Sequence, residues 1–167
     1  MAVRPIVRYP EHSLKEPSQP FSGTDEEAAA LILDLVETMR ASPVTVGLAA
    51  PQIGVGIRAF VLDVSGHRRA TSAQGLVALL DPILVSSRGA ETVREGCLSV
   101  PDLTANVGRA TEIEIQGRTA DGEVKRYEMD GFEARAALHE LDHLDGLLIL
   151  DRVASAGDIF ARKVYGG

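Results

Sequence analysis

Two histidines four residues apart, His139 and His143, bracket a glutamate, Glu140. On a helix the i, i+4 spacing puts both imidazoles on one face, where they can converge on one metal ion. Glu140 projects about 100° round from His139, near enough to serve a metal-bound water without being a ligand. The neighbours Ala136, Ala137, Leu138 and Leu144 make this stretch apolar, and a histidine pair in apolar surroundings needs partners. A catalytic site of this type takes three protein ligands and keeps one position open. The extended pattern H-E-x-x-H-x-x-G-x-x-H fails, because Ile149 stands where a third histidine belongs. A glutamate from elsewhere would leave no sequence mark. Cys97, the only cysteine, is the better candidate. It sits in Glu95-Gly96-Cys97-Leu98-Ser99, where Gly96 lets the backbone approach closely. A thiolate suits zinc or ferrous iron. A Cys–His nucleophilic pair is the rival use, and it leaves the second histidine and Glu140 without a task. A structural zinc domain is disfavoured, since three ligands leave the metal open.

The elements that must hold these residues are legible in outline. The first 20 residues are polar, carry Pro5, Pro10, Pro17 and Pro20, and read as extended chain lying on the body. Thr24 and Glu27 form a capping box. Apolar residues at Ala28, Leu31, Ile32, Leu35, Val36 and Met39 then follow helical spacing until Pro43. Small residues surround one amide, Gln52, in the stretch 46–54. Residues 59–64 and 79–86 read as strands, the second interrupted by Pro82, with a polar loop at 65–75 between them. That loop carries the basic cluster His67, Arg68 and Arg69. Glu112 to Ile115 alternates, Asp121-Gly122 supplies a turn, and 124–129 returns as a hairpin. A second helix spans about 132–144, with Asp130 as N-cap and Glu133 three residues on. The tail at 155–164 reads as a short helix. Strands followed by a helix, without βαβ alternation, predict an α+β fold, with antiparallel sheets around a central metal-binding helix.

Length and composition exclude most other classes. At 167 residues the chain reads as a single catalytic domain, 1–167. Hydrophobic residues are 45% and charged residues 25%, which rules out a disordered chain. No apolar run approaches the roughly 20 residues that span a bilayer. The net charge of −7 argues against a nucleic-acid footprint. One cysteine permits no intramolecular disulfide, which fits the cytoplasm. The start lacks a signal peptide, and an organelle remains compatible.

Three segments, in order, resemble the signatures of peptide deformylases. The family has a glycine-rich segment ending in A-A-x-Q, then E-G-C-L-S, then Q-H-E-x-D-H. This chain has Gly47-Leu48-Ala49-Ala50-Pro51-Gln52, then Glu95 to Ser99, then His139 to His143. The similarity runs from about Pro5 to Val153.

The resemblance implies a metallohydrolase that removes the formyl group from N-formylmethionyl peptides during nascent-protein processing, releasing formate. It implies that Cys97, His139 and His143 bind one divalent ion, Fe2+ by preference, with Zn2+, Ni2+ or Co2+ as alternatives. Glu140 would act as base and acid, with Gln52 and the Leu98 N–H steadying the oxyanion. Val46, Gly47, Val93, Glu95, Gly96 and Phe132 would meet the substrate, Val46, Val93 and Phe132 lining a methionine pocket. The partners implied are formylated nascent chains, with at most transient ribosome contact, no nucleic-acid specificity, no membrane and a monomeric state. Three positions depart from the family pattern: Thr45 replaces a glycine, Leu138 a glutamine, and Thr104 lies where a basic residue often stands. They leave room for a related amidase or peptidase, or for a weakly active or merely binding paralogue. Arg109 is expected to pair with Asp142.

Overall fold

The computed structural model describes residues 3–162. Helix α1 (Asp25–Arg40) begins at the expected capping box, with the Thr24 N–H donating to Glu27 and the Glu27 N–H to Thr24 Oγ1. It ends three residues before Pro43, which cannot continue a helix. Strand β1 (Gly47–Ala49) leads into a 3-10 turn, Ala50–Ile53. Strands β2 (Ala59–Leu62), β3 (Val77–Arg88), β6 (Glu112–Arg118) and β7 (Val124–Asp130) complete a five-stranded antiparallel sheet in the order β1-β2-β3-β6-β7. Strands β4 (Glu91–Cys97), β5 (Val100–Arg109) and β8 (Ile159–Ala161) form a separate three-stranded sheet, β4-β5-β8.

Helix α2 (Gly131–Leu144) packs on the large sheet and sends Arg135 and His139 to Glu95 and Val107 of the small one. Its Ala134, Ala136, Ala137, Leu141 and Leu144 pack on Phe60, Leu62, Val77, Leu79 and Ile115 of the large sheet. The opposite face of that sheet, through Ala59, Val61 and Leu80, packs on α1. All four residues of β2 are therefore buried. A strand covered on both faces loses the polar–apolar alternation of a half-exposed one. A third cluster joins Leu14, Val100, Ala105, Val107, Leu148 and Ile149 beneath the small sheet.

The N-terminal segment lies on the body, as expected, with one 3-10 turn at His12–Lys15. Its backbone pins two turns of the site, with the Val7 N–H donating to the Gln52 carbonyl at 2.8 Å and the Tyr9 N–H to the Ser99 carbonyl at 2.7 Å.

Four expectations need correction. Pro82 does not interrupt β3; the register shifts between Leu80 and Ile83, and Asp81 takes φ 49° to absorb the missing donor. Asp130 stands at the N-cap position without capping, because its carboxylate accepts from the Thr71 hydroxyl. Glu133 is likewise drawn to the Ser72 hydroxyl and the Gln74 N–H. The tail is a 3-10 turn (Ala156–Asp158) followed by β8, because pairing with β5 outweighs weak local helix preference; the end of the expected helix, residues 163–164, lies outside the described residues. Strands β4 and β5 went unread in the sequence. Charged and small residues dilute their apolar pattern.

Candidate metal centre and cleft

His139 and His143 lie one turn apart on α2, their ring centroids 5.0 Å apart. Cys97, at the end of β4, completes a trio whose ligand atoms all lie within 4.8 Å of one another. Cys97 Sγ is 3.4 Å from His143 Nε2. Bonds of about 2.3 Å to sulfur and about 2.1 Å to nitrogen, at a tetrahedral angle, hold such a pair about 3.6 Å apart. The trio therefore fits a single ion, and this was the grouping expected from the sequence.

The surroundings orient the trio. Glu95 Oε1 lies 2.8 Å from His139 Nδ1. A hydrogen bond from Nδ1–H leaves Nε2 with its lone pair toward the ion. Burial opposes a proton on His139, but Cys97, Glu95 and Glu140 outweigh it and hold its pKa well above the usual histidine range. Burial and the neighbouring His139 push His143 the opposite way, well below that range. A position that draws one positive charge into a buried site is a position suited to a cation.

Glu95 has partners other than the peptide expected for it. Its two oxygens accept from Arg109 Nε at 2.6 Å and Nη2 at 2.9 Å, from Arg135 Nη1 at 2.6 Å, and pair with His139. Burial alone would raise this carboxyl, yet the His139 and Arg109 contacts lower it to about 2. Arg109 also reaches Asp142, at 2.9 Å, as expected. Arg152 holds the other Asp142 oxygen at 2.6 Å. Arg135 and Arg152 were missed. Arg135 had a signal, since 135, 139 and 143 share one helix stripe.

Glu140 is 5% exposed, and its Oε2 has no hydrogen-bond partner among the described residues. Burial, partly offset by His139 and Arg109, pushes its pKa up to about 7. Gly47 of β1 packs directly on it: a Cβ there would lie 2.7 Å from Glu140 Oε1. Gln52 is buried too. Its Oε1 accepts from the Ala49 N–H at 3.0 Å, and its Nε2 donates to Ser99 Oγ at 3.1 Å and points at Cys97 Sγ, 3.7 Å away.

A cleft of about 750 Å³ opens on this centre. Val46, Gly47, Gln52, Val93, Glu95, Gly96, Cys97, Leu98, Phe132, His139 and Glu140 all line it, so every site residue inferred from the sequence except His143 borders one space. His143 is buried behind it, 1% exposed. Among the described residues, strand β1 pairs only with β2, and β4 only with β5. The cleft therefore lies between two free strand edges. The loop expected only as a basic tip forms one wall: Arg69 and Thr71 line the cleft, and His67 stacks on Phe132 with centroids 4.0 Å apart. Of the three departures, Thr45 lines the cleft. Leu138 faces a separate hollow with Arg109 and Asp142.

Comparison with known proteins gives a uniform result. The chain is 38% identical to a peptide deformylase of Acidobacterium capsulatum, over 98% of this chain and 95% of the relative. It is 42% identical to one from Acidothermus cellulolyticus, over 92% and 80%. The fold matches the crystal structure of peptide deformylase from Thermotoga maritima with TM-score 0.83 and 33% identity, covering 93% of this chain and 100% of that one. It matches the Synechococcus elongatus peptide deformylase in complex with actinonin with TM-score 0.82 and 28% identity, covering 95% and 88%. The family model for polypeptide deformylase spans residues 3–158, and with these relatives it establishes that the chain belongs to the polypeptide deformylase family.

Proposed function

We propose that this chain, acting as one catalytic domain, hydrolyses the formyl amide of N-formylmethionyl peptides and releases formate. The observation that carries this reading is the placing of a Cys-His-His trio and a buried glutamate at the floor of a cleft between two free strand edges. Such edges suit an extended peptide, bound through its main chain.

Cys97, His139 and His143 would hold the ion. A divalent ion held there would acidify a water and polarise a carbonyl oxygen. Gly47 offers its backbone to the peptide, and the lack of a side chain keeps Glu140 beside the scissile amide. Val46, Val93 and Phe132 take the methionine side chain. Glu140 accepts the proton of the attacking water, and its pKa of about 7 suits a group that must also give that proton up near neutrality. It then delivers the proton to the leaving nitrogen as the C–N bond breaks. Negative charge on the former formyl oxygen would be met by Gln52 Nε2 and the Leu98 N–H, donors already ordered by the fold.

Iron in the ferrous state is proposed as the native ion, from the thiolate in the ligand set. The protein is proposed to act as a monomer in the cytoplasm on chains leaving the ribosome. Among the described residues, no helix is long and apolar enough to cross a membrane.

The test is formate release from N-formyl-Met-Ala-Ser by anaerobically purified, ferrous-loaded protein, with N-acetyl-Met-Ala-Ser as control. Release from the formyl peptide alone is expected. Glu140→Gln should retain the ion and lose at least 100-fold in kcat. Equal turnover of both peptides, or none with metal bound, would refute the reading.

A further inference from the structure

Strand β4 shows two faces. Glu95 and Cys97 are buried, whereas Arg94 and Gly96 are exposed on the outer side. On β8, Phe160 stands opposite Thr104 of β5. Arg94 reaches across β5 and lays its guanidinium 3.6 Å from the Phe160 ring centroid. Arg162, two residues beyond Phe160, reaches back over Gly96, and its Nη2 fills the space that a Cβ on Gly96 would need. The two arginines thus cross between the same pair of strands in opposite directions. Both line the cleft.

Neither makes an ion pair among the described residues. Asp102 accepts the Arg162 backbone N–H at 2.9 Å through its carbonyl, not its carboxylate. Arg69 borders the same cleft, and Glu91 is the one exposed carboxylate there. Two adjacent unpaired guanidiniums are unusual in a chain of net charge −7, since like charges repel. A guanidinium stacked on a ring by its face still presents its N–H edge, which fits a carboxylate. Arg94 lies three residues from Cys97 along β4, about 10 Å. That is about the reach from a formyl carbon at the metal centre to the third residue of an extended peptide.

We propose that Arg94 and Arg162 form a carboxylate subsite, which takes an acidic side chain at the third residue of the formylated peptide. The proposal rests on the deformylase reading for its substrate and goes beyond it in naming a downstream sequence preference. The pair would favour aspartate or glutamate there and disfavour lysine.

The experiment compares kcat/KM for N-formyl-Met-Ala-Xaa-Ser amides with Xaa as Asp, Ser or Lys. The amide removes the terminal carboxylate as a competing ligand. Wild type should prefer Asp over Lys about five-fold in dilute buffer. The ratio should fall below about two-fold at high salt, where exposed charges are screened. Arg94→Gln with Arg162→Gln should bring the ratio near one, and Arg94→Lys with Arg162→Lys should restore most of it, which a purely structural role would not do. Equal kcat/KM for Asp and Lys peptides overturns the subsite, as does a preference that survives in the glutamine pair. Binding of the products Met-Ala-Asp-Ser and Met-Ala-Lys-Ser amides to metal-loaded protein repeats the comparison without turnover. Equal affinities there overturn the subsite even if deformylation is absent. An Asp preference in binding without deformylation supports the subsite and refutes only the reaction.

Discussion

Replacing Glu95 by alanine isolates the buried network behind the metal centre. In the structure this carboxylate is 7% exposed and accepts from two arginines as well as meeting His139. Its removal leaves Arg135 without a carboxylate and Arg109 with Asp142 alone. Breaking a buried ion pair by deleting one partner costs about 3–5 kcal/mol. The pKa gives an independent figure. A carboxyl held at about 2 against an ordinary value of 4.5 corresponds to about 3 kcal/mol when fully ionised. The sign follows from the depressed folded pKa: this stability is present above about pH 4.5 and is lost as pH falls toward 2. Urea unfolding of chelator-treated protein at pH 7 should therefore show Glu95→Ala destabilised by about 3 kcal/mol. The difference from wild type should shrink steadily below pH 4.5. Competition with a chromophoric chelator should show metal affinity reduced about 10–100-fold, because His139 loses the acceptor that fixes its tautomer. A variant within 1 kcal/mol of wild type, or a pH-independent difference, would refute the assignment of Glu95 as the anchor of this network.

Asp142→Ala should weaken metal retention and lower the urea midpoint, by about 2 kcal/mol, since Arg109 and Arg152 both lose an acceptor; unchanged metal content and midpoint would contradict it. Gly47→Ala places a methyl 2.7 Å from Glu140 Oε1, so it should cut kcat at least ten-fold while metal analysis stays at one ion per chain; a near-normal kcat would mean that the carboxylate yields freely. His67→Ala removes the ring stacked on Phe132 and should raise KM for formylmethionyl peptides several-fold, with kcat little changed. An unaltered KM would assign the stack to the loop alone.

Much of the chemistry was legible in the sequence because it is local. The i, i+4 spacing of His139 and His143 forces them onto one helix face whatever surrounds them, and the Thr24–Glu27 capping box and the Asp121-Gly122 turn act within a few residues. Cys97 was recoverable by elimination and by the motifs on either side. The partners of Glu95 were not. Arg109 and Arg135 come from β5 and α2, and only the packing of the small sheet on α2 brings them to it. The strand β8 was misread because its reason for existing is a distant edge, that of β5, and not its own propensity. The loop carrying His67 gave no sign that it would wall the cleft, since one stacked ring leaves no periodic trace. Local spacing shows which atoms can bind a cation and which carboxylate stands beside them. Folding brings two free strand edges face to face across those atoms and crosses two arginines above them, because strand register joins residues that no local pattern relates.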